Sequence, residues 1–163
     1  MDLVRLDRHD TKMLDALAVL DRTLIGIYGD SFADAAWNAE NFAYPLPRKF
    51  ELSYLLYDAG MLRGYCIASE KEAQVYIHRF AVSKGETGRA AAFLSQLLEF
   101  YGPAVTLMVN TKNRAAIDFY RGFGFGIVTE PEAVRPFIAP NLPVEKGEII
   151  ISEEYRCYLM KRS

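Results

Sequence analysis

A short glycine-bearing run between a predicted strand and a predicted helix carries the first chemistry that the sequence suggests. Residues 75–82 are mostly β-branched or aromatic, which predicts a strand, and residues 89–101 repeat apolar side chains at helical spacing. The run 83–88 holds two glycines, and Lys84 and Arg89 add positive charge beside it. A helix start reached through such a loop offers unpaired N–H groups and the positive end of the helix dipole. The run therefore suits a phosphate or pyrophosphate.

A second strand–turn–helix unit follows directly along the chain. Residues 105–109 predict a strand, and Asn113 can cap the helix that begins after it. That helix carries Phe119 and Tyr120 and ends in a Gly-Phe pair at Gly124. Two such units in succession predict neighbouring parallel strands in one sheet.

Together the two units resemble the signatures of the GCN5-related N-acetyltransferase (GNAT) superfamily. The first signature, Arg/Gln-x-x-Gly-x-Gly/Ala, is matched from Gly85 to Ala90, after a strand that ends in Phe80-Ala81-Val82. The second signature follows in the expected order and is matched at Asn113, Ala116, Ile117, Phe119, Tyr120, Gly124 and Phe125. The resemblance extends from the first residues of the chain to Lys161.

The resemblance implies an α/β fold of GNAT type as a single domain over residues 1–163. About seven mostly antiparallel strands are expected, with one parallel pair (the fourth and fifth) and helices on both faces. It also implies acetyl-CoA as the cofactor, held between the two parallel strands. The residues expected to bind it are Phe80, Ala81, Val82, Lys84, Gly85, Glu86, Thr87, Gly88, Arg89, Ala90, Asn113 and Phe119.

The first signature departs from the family pattern at its opening position. Gly85 stands where the family has Arg or Gln, and the span from Val82 to this glycine is short. A different register would open at Thr87 and place Ala90 and Ala92 at the small positions. We prefer the first register because it places the leucines of the following helix where the family has its paired leucines. In either register main-chain N–H groups are expected to hold the pyrophosphate.

The resemblance also implies the catalytic groups. Tyr120 matches the family's general acid, and a phenol with a pKa near 10 can protonate a departing thiolate; the alternative is a packing tyrosine. An alkylammonium with a pKa of about 10 needs a base at pH 7, for which His78 is the candidate and ordered water the alternative. Period-two alternation predicts that Tyr76, His78 and Phe80 share one face of the central strand. Asn113 serves equally well as a plain helix cap.

The acceptor side of the site is expected to be aromatic. Residues 25–44 are rich in rings and predict a second helical region that starts near Asp30 or Ser31. By resemblance this region walls the acceptor pocket, and the alternative for each ring is packing against the sheet. The candidate acceptor-binding residues are Tyr28, Phe32, Trp37 and Tyr76.

The remaining elements must place these two units in one sheet. A capped amphipathic helix is expected to begin at Asp10 or Thr11, and residues 129–152 lack clear periodicity, although Ile149 to Ile151 could lengthen a strand. The other expected strands lie at residues 3–6, 52–57, 62–68, 124–128 and 154–161.

Composition limits the class of function. The 163 residues carry 19 basic and 21 acidic side chains, so no net field favours nucleic acid or an anionic membrane. The N-terminus is too charged for a signal peptide and no apolar run approaches membrane-spanning length, so a cytoplasmic protein is expected. Cys66 and Cys157 lie in apolar runs and are expected to be buried thiols, and two distant histidines indicate no metal site.

The predicted function is transfer of an acetyl group from acetyl-CoA to the primary amine of a small molecule by direct attack. The first alternative is a protein or peptide N-acetyltransferase, and the second is an acyl-CoA-binding module with little catalysis. The acceptor amine cannot be named from the sequence, and a homodimer stays open.

Overall fold

A computed structural model of the chain describes residues 1–28, 35–85 and 88–163. The strands are β1 (Asp2–Arg5), β2 (Tyr54–Asp58), β3 (Met61–Lys71), β4 (Gln74–Val82), β5 (Val105–Asn110), β6 (Phe125–Ile127), β7 (Val144–Glu145), β8 (Glu148–Ile150) and β9 (Arg156–Arg162). The helices are α1 (Thr11–Tyr28), α2 (Ala39–Ala43), α3 (Lys49–Leu52), α4 (Arg89–Tyr101), α5 (Arg114–Arg121) and α6 (Pro131–Val134), the last followed by a 3-10 turn (Arg135–Phe137).

All nine strands form one sheet in the order β1-β2-β3-β4-β5-β9-β8-β7, and β6 pairs with β9 beside β8. The β4–β5 pair is parallel, and the other pairs are antiparallel. Helix α4 makes the crossover that a parallel pair requires. The predicted mixed sheet with a parallel fourth and fifth strand is therefore confirmed. The strand count exceeds seven because the segment 129–152 contributes the β7–β8 hairpin.

Helices cover both faces of the sheet, as predicted. On one face Cys66 and Ala68 of β3 pack with the leucines of α4. On the other face Tyr65 and Ile67 of the same strand pack with Leu17 of α1. This alternation follows from the period of two along a strand and gives the sheet one hydrophobic core on each side.

A β-bulge interrupts the alternation in β4 at His78. Ile67 pairs with Arg79 but the next residue, Ala68, pairs with Ile77, so His78 is the extra residue of β4. The residues after the bulge therefore point to the opposite face from the one that simple alternation predicts. Phe80 packs into the core beneath α4, whereas Tyr76 belongs to a separate cluster with Phe137. The prediction that Tyr76, His78 and Phe80 share one face is therefore wrong.

The helical region predicted for residues 25–44 is divided differently in the structure. Residues 25–28 continue α1, while α2 begins only at Ala39. Asn38 and Asn41 form a capping box there, since each side-chain oxygen accepts the other's backbone N–H. The predicted start near Asp30 or Ser31 lies outside the described residues.

Candidate active site

The parallel strands β4 and β5 separate at the centre of the sheet. Their pairing ends at Ile77 and Leu107, yet β4 continues to Val82 and β5 to Asn110. The bulge at His78 lies where the pairing stops. Beyond this point the two strands flank a cavity of about 430 Å³. Two diverging strands thus create an open slot in an otherwise continuous sheet.

Six of the twelve predicted cofactor-binding residues line this cavity, called the larger cavity below. The six are Phe80, Ala81, Val82, Ala90, Asn113 and Phe119. The predicted catalytic residues His78 and Tyr120 also line the cavity. Lys84, Gly85 and Gly88 lie at the exposed loop before α4. Glu86 and Thr87 lie outside the described residues.

The loop before α4 places a guanidinium over Gly85. Gly88 has φ 88°, the left-handed conformation that glycine adopts without strain, and it forms the N-cap of α4. Arg89 pairs with Asp58 at 3.0 Å, and a Cβ added to Gly85 would collide with Arg89 Nη1. Gly85 therefore leaves room for the cation of Arg89.

Polar atoms without partners cluster at the same loop. Within the described chain, Arg63 Nε, Ser83 Oγ and Arg89 Nε are buried and make no hydrogen bond. The N–H of Ser83 donates to the carbonyl of Arg63 at 2.7 Å, which brings β3 to the start of the loop. Buried polar groups in proteins are almost always hydrogen-bonded, so three unpaired donors suit an anionic ligand. The residues present thus fit the pyrophosphate of a CoA-type cofactor.

Sequence reasoning missed two of these three donors. Ser83 opens the loop, and its position next to the predicted phosphate run was the signal that could have found it. Arg63 lies on β3, far from the loop in sequence, and nothing local marks it as a neighbour of Ser83.

Tyr120 projects from α5 into the larger cavity and is held by aromatic packing. Its ring centroid lies 6.4 Å from that of Phe80, 5.5 Å from that of Phe119 and 5.6 Å from that of Phe125. Burial, and then the neighbouring Cys66, raises the pKa of the Tyr120 phenol above its usual value. The hydroxyl is therefore protonated at neutral pH and is available as a proton donor.

Asn113 supports the same helix. Its Oδ1 accepts the N–H of Ala116 at 3.1 Å, which is the geometry of an N-cap. It also lines the larger cavity. The structure therefore shows the capping role, while a contact of Asn113 with the cofactor stays a prediction.

A second cavity of about 240 Å³ adjoins the first. The two cavities share the lining residues Ile77, His78, Met108 and Tyr155. The smaller cavity is completed by Trp37, Tyr76, Ile151 and Cys157. The two cavities thus share part of their walls at the point where β4 and β5 part.

The smaller cavity contains part of the predicted acceptor wall. Trp37 and Tyr76 line it, whereas the side chain of Tyr28 and all of Phe32 lie outside the described part of the chain. Sequence reasoning missed the contributions of β5, of the turn before β9 and of β9 itself, namely Met108, Ile151, Tyr155 and Cys157. These residues carry no local signal because they come together only through the pairing of β9 with β5 and β8.

His78 lies at the junction in a neutral form. Its Nε2 is 2.6 Å from Ser69 Oγ, and its ring is 4.8 Å from that of Tyr76. Burial, followed by the positive charges of Lys71 and Lys49, lowers the pKa of His78 to about 4. At pH 7 the imidazole is therefore uncharged, and it is a much weaker base than the amine it was predicted to deprotonate.

Two further properties of the described residues bear on function. No group of three His, Cys, Asp or Glu side chains among them could hold a metal ion. No helix of the described chain combines the length and apolar character needed to cross a membrane.

The chain is similar to known acetyltransferases. The Acetyltransferase (GNAT) family matches residues 19–125. No curated protein sequence matches the chain.

Solved structures share the fold at low sequence identity. The ribosomal-protein-S18-alanine N-acetyltransferase from Escherichia coli is 18% identical with a TM-score of 0.67, over 99% of this chain and 92% of that one. Arabidopsis thaliana Naa50, in complex with the bisubstrate analogue CoA-Ac-MVNAL, is 21% identical with a TM-score of 0.62, over 99% and 97%. An acetyltransferase of the GNAT family from Bacillus cereus is 14% identical with a TM-score of 0.65, over 99% and 96%.

Proposed function

The chain belongs to the GNAT family of acetyltransferases, with acetyl-CoA as its cosubstrate, and we propose that it acetylates a primary amine that enters through the smaller cavity. The observation that carries this proposal is the junction of the two cavities at Ile77, His78, Met108 and Tyr155. Acetyl-CoA, when bound, supplies a thioester-activated acetyl group. Separate approaches to one point let two reactants meet in line, which lowers the entropic part of the barrier.

The larger cavity and the loop before α4 are the proposed cofactor site. The main chain of β4 beyond the bulge, together with Ala90 and Phe119, lines the slot. Arg89 and the unpaired Arg63 Nε and Ser83 Oγ provide donors for the phosphates. Charge-assisted hydrogen bonds from guanidinium groups are the interactions that phosphate oxygens favour.

Tyr120 is the proposed general acid. Its hydroxyl lies in the wall of the larger cavity, and burial holds its pKa above the usual value, so it retains its proton at neutral pH. The proton is therefore available to the departing sulfur while negative charge develops on it, and because the thiol, with a pKa of about 8.5, is the stronger acid, the phenol regains its proton when the thiol ionises. General acid catalysis of this kind contributes about 10²–10⁴-fold to a rate.

The proposed acceptor of the amine's proton is water and not His78. A pKa of about 4 leaves His78 neutral but makes it roughly six units weaker than an alkylamine. Its Nε2 is already engaged by the Ser69 hydroxyl. We assign His78 the role of a hydrogen-bonding group that orients the attacking amine at the junction.

The size and lining of the smaller cavity favour a compact amine. A volume of about 240 Å³ with Trp37, Tyr76, Ile151 and Tyr155 in its wall suits a primary amine carried on an apolar or aromatic group. A second candidate is the α-amino group of a peptide. It is favoured by the names of two structural neighbours, one of which acts on an alanine of ribosomal protein S18 while the other binds a peptide-like bisubstrate analogue.

Thiol release with a panel of acceptors tests the proposal. The panel contains arylalkylamines, alkyl diamines, short peptides with a free N-terminus and the same peptides with a blocked N-terminus. Turnover with a small arylalkylamine supports the first candidate, and turnover confined to peptides with a free N-terminus supports the second. Acetyl-CoA binding in calorimetry without turnover on any amine would instead indicate an acyl-CoA-binding module.

A further inference from the structure

A buried carboxylate in the middle of α1 connects four separate parts of the fold. Asp21 is 0% exposed. Its Oδ1 accepts from Arg79 Nε at 2.8 Å and from the Tyr65 hydroxyl. Its Oδ2 accepts from Arg79 Nη2 at 2.9 Å and from the main-chain N–H of Trp37 at 2.7 Å. A charge in the core is tolerated only when it is paired and hydrogen-bonded in this way.

The same network fixes Trp37, whose neighbours 35–38 form no helix or strand. Arg79 Nη2 donates to the carbonyl of Ala35 at 3.4 Å, and the Arg79 guanidinium lies 4.8 Å from the centroid of the Trp37 ring. Asp21 and Arg79 therefore hold both the backbone and the ring of Trp37. The ring also packs edge-on against Phe42 of α2, with centroids 5.2 Å apart.

Trp37 in turn forms one wall of the smaller cavity, opposite elements that are anchored in the sheet. Tyr76 is part of β4, and Met108 is part of β5. Trp37 lies outside the sheet and is held by Asp21 of α1 and Arg79 of β4. The shape of the smaller cavity consequently depends on the bond between Asp21 and the Trp37 N–H.

We propose that Asp21 is a positioning residue that holds Trp37 against the smaller cavity and thereby sets the affinity for the acceptor amine. This rests on the proposed function of that cavity. Asp21 itself lines neither cavity. Arg79, its partner on β4, does line the larger cavity, so a substitution that keeps an acceptor for Arg79 should leave the cofactor slot largely intact; the core beneath α4 does not include α1.

Asp21→Asn is the sharpest perturbation. The retained Oδ1 can still accept from Arg79 Nε and Tyr65, while the new NH₂ group faces two donors, the Trp37 N–H and Arg79 Nη2. We expect the KM for the acceptor to rise about tenfold with kcat and the KM for acetyl-CoA within about twofold, the signature of lost ground-state binding. The chain contains one tryptophan, so its emission reports on Trp37 directly, and quenching by acrylamide should increase.

Ser53→Ala is the matched control, because it also removes a fully buried polar group, whose hydroxyl bonds the main chain of Ala68. It should change stability but neither the acceptor KM nor the emission of Trp37. If Asp21→Asn fails to fold, Tyr65→Phe removes one of the partners of Asp21 and should give a smaller shift in the same direction.

Two results would overturn the proposal. One is a parallel rise in both KM values for Asp21→Asn, and the other is an unchanged accessibility of Trp37. Failure of the proposed function looks different, since wild-type protein would then turn over no amine. In that case the quenching experiment still decides whether Asp21 positions Trp37.

Discussion

The hydroxyl of Tyr120 should carry most of the acid catalysis in this enzyme. Tyr120→Phe removes one oxygen from a side chain that is 9% exposed and keeps its packing against Phe80, Phe119 and Phe125. We expect kcat to fall about 10²–10⁴-fold, the contribution of a positioned general acid. That range corresponds to roughly 3–5 kcal/mol of lost transition-state stabilisation. Affinity for acetyl-CoA should stay within about threefold, because the ring that lines the cavity is retained.

The pH dependence follows from the burial of the phenol. Burial raises the pKa of Tyr120 above its usual value, so the acid form persists through the alkaline range. The wild-type rate should therefore rise with pH as more of the acceptor amine becomes neutral, with no decline below about pH 9 from loss of the acid. In Tyr120→Phe the same rise should appear at a uniformly lower rate.

Tyr101→Phe is the matched control for this experiment. Tyr101 is also 9% exposed and lies in the same core, but its hydroxyl donates to the carbonyl of Leu52 at 2.5 Å and lies 3.5 Å from Cys66 Sγ. It is not part of the wall of either cavity. Its loss should reduce the free energy of unfolding by about 1–3 kcal/mol, because a buried carbonyl is left without its donor. We expect its kcat to remain within about twofold of wild type.

Steady-state thiol release, calorimetry with acetyl-CoA and thermal unfolding of the three proteins together decide the matter. The reasoning is refuted if Tyr120→Phe retains kcat within about threefold of wild type. It is equally refuted if Tyr101→Phe loses as much activity as Tyr120→Phe, since a general loosening of the core would then explain both.

The pKa of His78 is about 4 in the folded protein against 6.5 in the unfolded chain, so on acidification the unfolded chain binds the proton first. The free energy of unfolding should therefore fall by roughly 2–3 kcal/mol between pH 7 and pH 4.5. Urea unfolding of His78→Gln should lack this part of the pH dependence. Burial lowers the pKa of Lys49 to about 8, and its Nζ lies 5.8 Å from the centroid of the Trp37 ring. The fluorescence emission of Trp37 should therefore change with a midpoint near pH 8. If the same midpoint persists in Lys49→Met, Lys49 is not the titrating group. Arg89→Ala should weaken acetyl-CoA binding about tenfold in calorimetry. Asp58→Asn, which frees the Arg89 guanidinium from its ion pair, should not weaken binding. Equal losses of affinity in the two variants would mean that the Arg89–Asp58 ion pair is purely structural.

Local patterns in the sequence determined the two strand–loop–helix units and their chemistry. Gly88 adopts the left-handed conformation that its residue type permits, and Asn113 caps α5 as expected. Apolar side chains at strand and helix periods correctly indicated β4, α4, β5 and α5, because such periods depend only on neighbours in sequence. The family and the mixed sheet with its parallel pair followed from these same residues and are confirmed.

Only the tertiary structure decided how those units face one another. The bulge at His78 arises from the register between β3 and β4, and it separated Tyr76 from Phe80, which were predicted to share one face. The cation beside Gly85 is the guanidinium of Arg89, which comes from α4 and is paired with Asp58 of β2. Asp21 reads in the sequence as one more polar residue of an amphipathic helix, yet it is fully buried.

The smaller cavity shows the physical reason most clearly. Its wall joins Trp37, Tyr76, Met108 and Tyr155, which are far apart in the chain and meet through strand pairing and one buried ion pair. Periodicity and capping describe interactions over a few residues, whereas these contacts are set by register, bulges and burial across the whole sheet. The chain's own local preferences therefore specify what chemistry is present, and the packing of the sheet specifies where it can act.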